Sequence, residues 1–147
     1  MVDVLEAGVD VPLVKTVFIS APRETVWAYL TEKAYLGRWW QDAAADLQPD
    51  SEYTLLDSKG ARLVWGRVVT WEKPSRLVTT FEVGMMPGKE TTVTWELSDV
   101  PGGTQLRLTH EGIMASGGPE EPVFGGLDMG WDKHFLTLRE MAKAEAA

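Results

Sequence analysis

Residues 124–144 have the sequence FGGLDMGWDKHFLTLREMAKA, in which apolar side chains recur every three or four positions. The recurring residues are Phe124, Leu127, Trp131, Phe135, Leu138 and Met141. This period places them on one face of an α-helix. The stretch therefore predicts a long amphipathic helix that ends near Ala144 and packs its apolar stripe against another layer of the fold.

The chain between residues 51 and 110 has an apolar period of two. Thr91–Leu97 alternates strictly, with Val93 and Trp95 on the apolar face. The pattern predicts five strands at 52–56, 62–71, 76–83, 91–97 and 105–110. Turn residues connect them closely, which indicates an antiparallel meander rather than a parallel sheet with crossover helices.

The N-terminal part predicts one strand and two short helices. Val11–Ile19 is rich in β-branched residues, and Pro22 follows at the expected first helical position. The first helix should end near Thr31, and the second should span Lys33–Trp40. The predicted order is β-α-α-β-β-β-β-β-α, an α+β fold in which a curved antiparallel sheet wraps around the C-terminal helix. We find no internal repeat or linker, so residues 1–147 are predicted to form one domain.

Composition excludes several classes of function. The 147 residues include 22 acidic and 14 basic residues, for a net charge of -8. This balance, without any run of Lys and Arg, argues against nucleic-acid binding and against docking on an anionic membrane. Cysteine is absent, which excludes disulfides and thiolate metal sites. The first ten residues carry no basic segment and no apolar run approaches a membrane span, so we expect a soluble, cytoplasmic protein.

Seven tryptophans, at positions 27, 39, 40, 65, 71, 95 and 131, are the unusual feature of the composition. One interpretation is a tryptophan-rich core, because each ring buries a large apolar area. The other is an internal cavity whose walls are rings that do not fill one another's space. Composition alone favours the filled core.

Several motifs together resemble one family, the proteins similar to the C-terminal domain of the activator of Hsp90 ATPase, within the START/Bet v 1-like (SRPBCC) superfamily. The motifs are residues 21–27 (APRETVW), 36–40 (LGRWW), 66–69 (GRVV), 72–78 (EKPSRLV), 109–112 (THEG) and Gly130-Trp131. The resemblance covers about residues 13–144 and implies the helix-grip fold. Trp71 departs from the pattern, because the family more often has a smaller aliphatic residue there.

The resemblance also implies a cavity between the sheet and the C-terminal helix, with a small hydrophobic or amphipathic molecule as its ligand. The predicted wall residues are Trp39, Trp40, Trp65, Phe81, Trp95, His110 and Trp131. Two alternatives remain open. One is a co-chaperone-like module that binds a protein partner and stimulates an Hsp90-type ATPase. The other is a cyclase or hydrolase acting on a polyketide-like substrate.

His110 is the best candidate for chemistry. The period of two places it with Leu106 and Leu108 on the inward face. A neutral imidazole there could donate to a ligand or act as a base. The favoured interpretation is a buried histidine that is satisfied by the backbone or by Thr109 and Glu111. Without a partner for a catalytic pair, we predict that the protein is not an enzyme.

Metal and cofactor binding are not predicted. His134 and Asp132 lie on the last helix, where a solvated face is favoured over a metal site shared with His110, because no ligand spacing is present. The glycine pairs lack the context of a phosphate-binding loop. The Met85-Met86 loop is either a plain hairpin tip or an adaptable lid over a pocket.

Overall fold

A computed structural model describes residues 12–84, 89–113 and 122–146, with the backbone alone for residues 122–126 and 128. The predictions for residues 1–11, for the Met85-Met86 lid and for the loop at 114–121 lie outside the described residues. The elements, in chain order, are β1 (Leu13–Ile19), α1 (Arg23–Thr31), α2 (Lys33–Trp39), β2 (Asp42–Ala43), β3 (Glu52–Leu56), β4 (Arg62–Glu72), β5 (Arg76–Val83), β6 (Thr91–Val100), β7 (Gly103–Glu111) and α3 (Pro122–Ala146).

The strands form one antiparallel sheet in the order β1-β7-β6-β5-β4-β3-β2. The sheet curls around α3, and α1 and α2 also pack against that helix. The predicted α+β helix-grip fold is confirmed. Several element boundaries differ from the prediction by one to three residues, and two further details also differ. The two-residue strand β2 was not foreseen, and Pro22 is the residue that caps α1 rather than its first helical residue.

Alternation along the strands separates the two faces of the sheet. In β6, Val93, Trp95 and Leu97 are buried while the residues between them are not. α3 presents Trp131, Phe135 and Leu138 to this buried face, as its helical period predicts. Burying these side chains is the main favourable term in holding α3 to the sheet. No helix in the described part of the chain is long and apolar enough to cross a membrane.

A bulge in β4 separates two tryptophans that strict alternation would place on one face. The pairing register with β5 shifts between Val68 and Thr70, and Val69 is left exposed. Beyond the bulge, Trp71 pairs with buried Leu77 and its ring meets Trp27 edge-on at 5.2 Å. The residue that departs from the family pattern therefore packs against α1.

Trp65 lies before the bulge and on the opposite, convex face. It pairs with Glu82 rather than with an apolar residue, and the Arg62 guanidinium lies 3.8 Å from the centre of its ring. Arg67 is also exposed and donates to the Asp50 carbonyl oxygen at 3.0 Å. The expectation that Trp65 lines the cavity is therefore corrected. Its neighbour Val64 takes the inward position, and the side-chain period of two turns Trp65 outward.

Two leucines of α3 test whether the inward face of this helix stabilises the fold. Leu138 is fully buried, whereas Leu136 is 64% exposed. Leu138→Ala should lower the free energy of unfolding by about 2–5 kcal/mol, because it leaves a cavity in the core. Leu136→Ala is the matched control and should change it by no more than about 0.5 kcal/mol. Denaturant unfolding of both variants measures the difference. Equal effects would contradict the packing described here.

Candidate functional site

Aromatic rings form a continuous cluster between α3 and the concave face of the sheet. The cluster consists of Trp39, Trp40, Phe81, Trp95, His110, Trp131 and Phe135. Trp131 is central, with ring centroids 5.0 Å from Trp40 and 5.5 Å from Trp95. Most neighbouring rings meet tilted or edge-on, the arrangement that aromatic quadrupoles favour. The interior between sheet and helix is therefore largely filled.

Hydrogen bonds link this cluster to three strands. The Trp131 indole N–H donates to His110 Nδ1 at 3.2 Å. His110 Nε2 lies 2.8 Å from Thr91 Oγ1, and the Thr91 hydroxyl donates to the Phe81 carbonyl oxygen at 2.9 Å. Because the Thr91 proton goes to Phe81, the Thr91 oxygen must accept from His110. Both imidazole nitrogens are therefore occupied, with the proton on Nε2.

This arrangement requires a neutral imidazole. His110 is fully buried, and burial lowers its pKa from the ordinary value of 6.5 to about 3. A second proton on Nδ1 would also face the Trp131 N–H, which can only donate. The structure supports the interpretation of His110 as a satisfied buried histidine, but with Thr91 and Trp131 as partners instead of Thr109 and Glu111. Its nitrogens have no capacity left for a ligand.

A cleft of about 190 Å³ opens at one end of the ring cluster, between α3, the end of α2 and strands β4 and β5. Its described lining residues are Trp40, Gln41, Leu63, Val64, Phe81, Val83, Leu127, Gly130, Trp131 and His134. The walls are mostly apolar, and the described lining includes no carboxylate, lysine or arginine. Such a lining suits an apolar molecule better than an ion.

The polar side chains of the cleft are Gln41 and His134, both half-buried. Burial, the largest influence, lowers the His134 pKa below its ordinary value, and nearby Lys133 lowers it further. A hydrogen bond with the backbone of Trp39 acts in the opposite direction. The net direction is downward, so the His134 imidazole is neutral at neutral pH.

A second, internal void lies deeper in the fold and measures about 10 Å³. It offers space for no more than about one water molecule. Trp40 and Phe81 line both this void and the cleft. These two rings therefore separate the interior from the outer space, and open volume large enough for a small molecule lies on the cleft side.

A family model described as activator of Hsp90 ATPase homolog 1-like protein matches residues 20–143. The chain belongs to this family. The motifs noted in the sequence lie within the matched region or overlap it, so the predicted relationship is confirmed. A search of the curated proteins finds no match.

Several solved structures share the fold of this chain. Protein MLL2253 from Mesorhizobium loti has a TM-score of 0.76 at 23% identity, covering 88% of this chain and 95% of that one. The Aha1 dimer from Colwellia psychrerythraea has a TM-score of 0.77 at 19% identity, covering 90% of this chain and 96% of that one. CalU16 from Micromonospora echinospora has a TM-score of 0.72 at 22% identity, covering 91% of this chain and 77% of that one. At these identities the likeness concerns the fold.

The predicted wall residues of this family member occupy three kinds of place. Trp40, Phe81 and Trp131 line the cleft. Trp39, Trp95 and His110 belong to the ring cluster but do not line the cleft, and Trp65 is on the convex face. The expectation of one cavity lined by all seven is corrected, because the rings behind the cleft pack against one another.

Sequence reasoning missed several cleft residues, most clearly on α3. Leu127, Gly130 and His134 line the cleft together with Trp131, which the sequence did predict. These four positions are separated by three, one and three residues, which places them on one face of the helix. The sequence therefore contained the pattern that identifies this face. The absence of metal-ligand spacing favours a solvated face for His134, whereas the structure places its half-buried side chain in the cleft lining. No group of three potential metal ligands occurs among the described residues, and metal-free function stays a prediction.

The buried neutral His110 makes stability depend on pH. Its folded pKa of about 3 lies below the unfolded value of 6.5, so the unfolded chain binds the extra proton between these values. This contribution to stability is complete above pH 6.5 and is lost as the pH falls toward 3. Between pH 7 and pH 5 it should lower the free energy of unfolding by about 2 kcal/mol. Denaturant unfolding at both pH values measures the loss.

His110→Gln should remove most of that pH dependence, since glutamine does not titrate. His134→Gln is the control. Because His134 is only half-buried, this variant should keep most of the loss of unfolding free energy between pH 7 and pH 5. If His110→Gln and the unmodified protein lose stability equally on acidification, His110 is not the neutral buried group described here.

Proposed function

We propose that the protein binds a small apolar molecule in the cleft between α3 and the sheet. The observation that carries this proposal is the open volume of about 190 Å³ against apolar walls. A dry apolar cavity of about 150 Å³ is enough to hold benzene. The space therefore suits a molecule of one or two rings.

Gly130 supports the proposal independently. Glycine inside a helix costs about 1 kcal/mol relative to alanine, so its presence in α3 calls for a reason. Close packing against the described residues is not the reason, because a Cβ atom built at Gly130 meets none of their atoms within 4 Å apart from its chain neighbours and the helix backbone. The missing side chain instead leaves open space on the cleft wall. A larger residue could be accommodated at this position, and its side chain would fill part of the cleft.

The features of the site favour binding over turnover. His110 has both nitrogens engaged and a strongly lowered pKa, which makes it a poor base. The described cleft residues include neither a carboxylate nor a nucleophilic hydroxyl. A cyclase or hydrolase would need a pair of groups for acid and base chemistry. We therefore propose a binding protein without catalytic activity.

A series at Gly130 tests the cleft directly. Gly130→Ala should raise the free energy of unfolding by roughly 0.5–1 kcal/mol, because alanine is the better helix former. Gly130→Leu should also fold, but its side chain would occupy the cleft. It should weaken binding of the uncharged probe 2-methoxynaphthalene by roughly tenfold or more. Quenching of tryptophan fluorescence reports binding, since Trp40 and Trp131 line the cleft.

Lys133→Leu is the control for adding a leucine to α3, because Lys133 is exposed and absent from the cleft lining. Its affinity for the probe should match that of the unmodified protein. If the probe does not bind the unmodified protein, or if Gly130→Leu binds it equally well, the ligand-binding proposal fails. The protein-interaction alternative would then be favoured.

A further inference from the structure

The polar groups of the cleft restrict the chemistry of its ligand. Gln41 makes no hydrogen bond within the described part of the chain, although its side chain is half-buried. His134 shares the same cleft and is also half-buried. A ligand that matched these groups would replace the water that each loses on binding. An entirely apolar ligand would leave the Gln41 amide and the acceptor nitrogen of His134 without a partner.

His134 offers an acceptor to such a ligand. The His134 imidazole lines the cleft, and burial lowers its pKa, so the ring is neutral and one of its two nitrogens carries the proton. In a neutral imidazole the other nitrogen then carries a lone pair. The group that an imidazole lone pair recognises is a donor, of which a hydroxyl is the simplest. The Gln41 amide N–H can donate to the oxygen of that same hydroxyl.

The surroundings argue against a charged ligand. No described residue of the cleft wall carries a formal charge that could pair with an anion or a cation. An ion buried against indole and aliphatic side chains without a partner would lose its hydration uncompensated. The net charge of -8 further opposes the approach of anions.

Resting on the proposed function, we propose that the ligand is an uncharged aromatic molecule of one or two rings that carries a hydroxyl group. The rings occupy the apolar cleft beside Trp40, Trp131 and Gly130. The hydroxyl group lies at the polar edge, where it donates to His134 and accepts from Gln41. His134 and Gln41 thereby determine specificity, while the rings supply most of the affinity.

Three probes of the same ring size test this assignment by isothermal titration calorimetry. 2-Naphthol carries the hydroxyl, 2-methoxynaphthalene keeps the oxygen but lacks the donor, and 2-naphthoate is charged. The unmodified protein should bind 2-naphthol roughly fivefold more tightly than 2-methoxynaphthalene, the effect of one net hydrogen bond. Binding of 2-naphthoate should be weaker than that of either neutral probe.

Variants assign the hydrogen bonds to residues. His134→Leu should bring the affinities for 2-naphthol and 2-methoxynaphthalene to nearly the same value, leaving the affinity for 2-methoxynaphthalene little changed. Gln41→Leu should weaken both neutral probes to a similar degree, because both keep the accepting oxygen. Lys133→Leu, next to His134 but outside the cleft, should preserve the preference for the hydroxyl.

The outcomes separate this inference from the proposed function. If the neutral probes bind equally well to the unmodified protein, or if His134→Leu keeps the preference, the hydroxyl assignment is wrong while the cleft remains a binding site. If 2-naphthoate binds most tightly, the ligand is an anion and the assignment is also overturned. If no probe binds, the proposed function itself fails, and the hydroxyl assignment fails with it.

Discussion

The hydrogen bonds from Trp131 through His110 and Thr91 to the Phe81 carbonyl are the constraint on which this structure depends. They connect α3 to β7, β6 and β5 in succession. The direction of every bond is determined, because an indole nitrogen can only donate and the Thr91 proton is committed to Phe81. Removing one member would leave a buried donor or acceptor without a partner, at a cost of about 1–3 kcal/mol.

The same constraint determines which face of α3 meets the cleft. Since the Trp131 nitrogen must point toward His110, the helix cannot rotate about its axis without breaking that bond. This orientation places Gly130 on the cleft wall. It also places Leu127 and His134 there, because they lie about one helical turn from Gly130 on either side. The hydrogen bond in the core and the position of the cleft wall therefore both depend on the orientation of Trp131. A change that frees Trp131 from His110 would disturb both.

Periodicity was sufficient to predict the fold and insufficient to predict the site. A period of two located five strands and a period of 3.6 located α3, because each records which side chains face the core. The bulge in β4 has no comparable signal. It turns Trp71 toward Trp27 and leaves Trp65 on the convex face, although both lie at odd positions of the same strand. Period counting alone assigns the two rings to one side.

The partners of His110 were equally inaccessible to local reasoning. Thr91 and Trp131 lie 19 and 21 positions away, whereas the candidates named from the sequence were its immediate neighbours. Adjacent residues in a strand point to opposite faces, so Thr109 and Glu111 could not reach the inward imidazole. The cleft face of α3 is different, since its helical spacing is visible in the sequence, and what the spacing alone does not reveal is that Gly130 and His134 border open space.

The filled core also limits the size of the molecule that the cleft could hold. The Trp39 indole donates a hydrogen bond to the Tyr29 carbonyl oxygen, and the Trp131 indole donates one to His110. Both residues are only 3% exposed. Trp40 lies beyond the last helical residue of α2, is only half-buried, and lines both the internal void and the cleft. Of the rings that bound the open space, it is therefore the least constrained. A molecule larger than the cleft would have to displace the Trp40 ring. That displacement would open only the internal void behind it, which has room for about one water molecule.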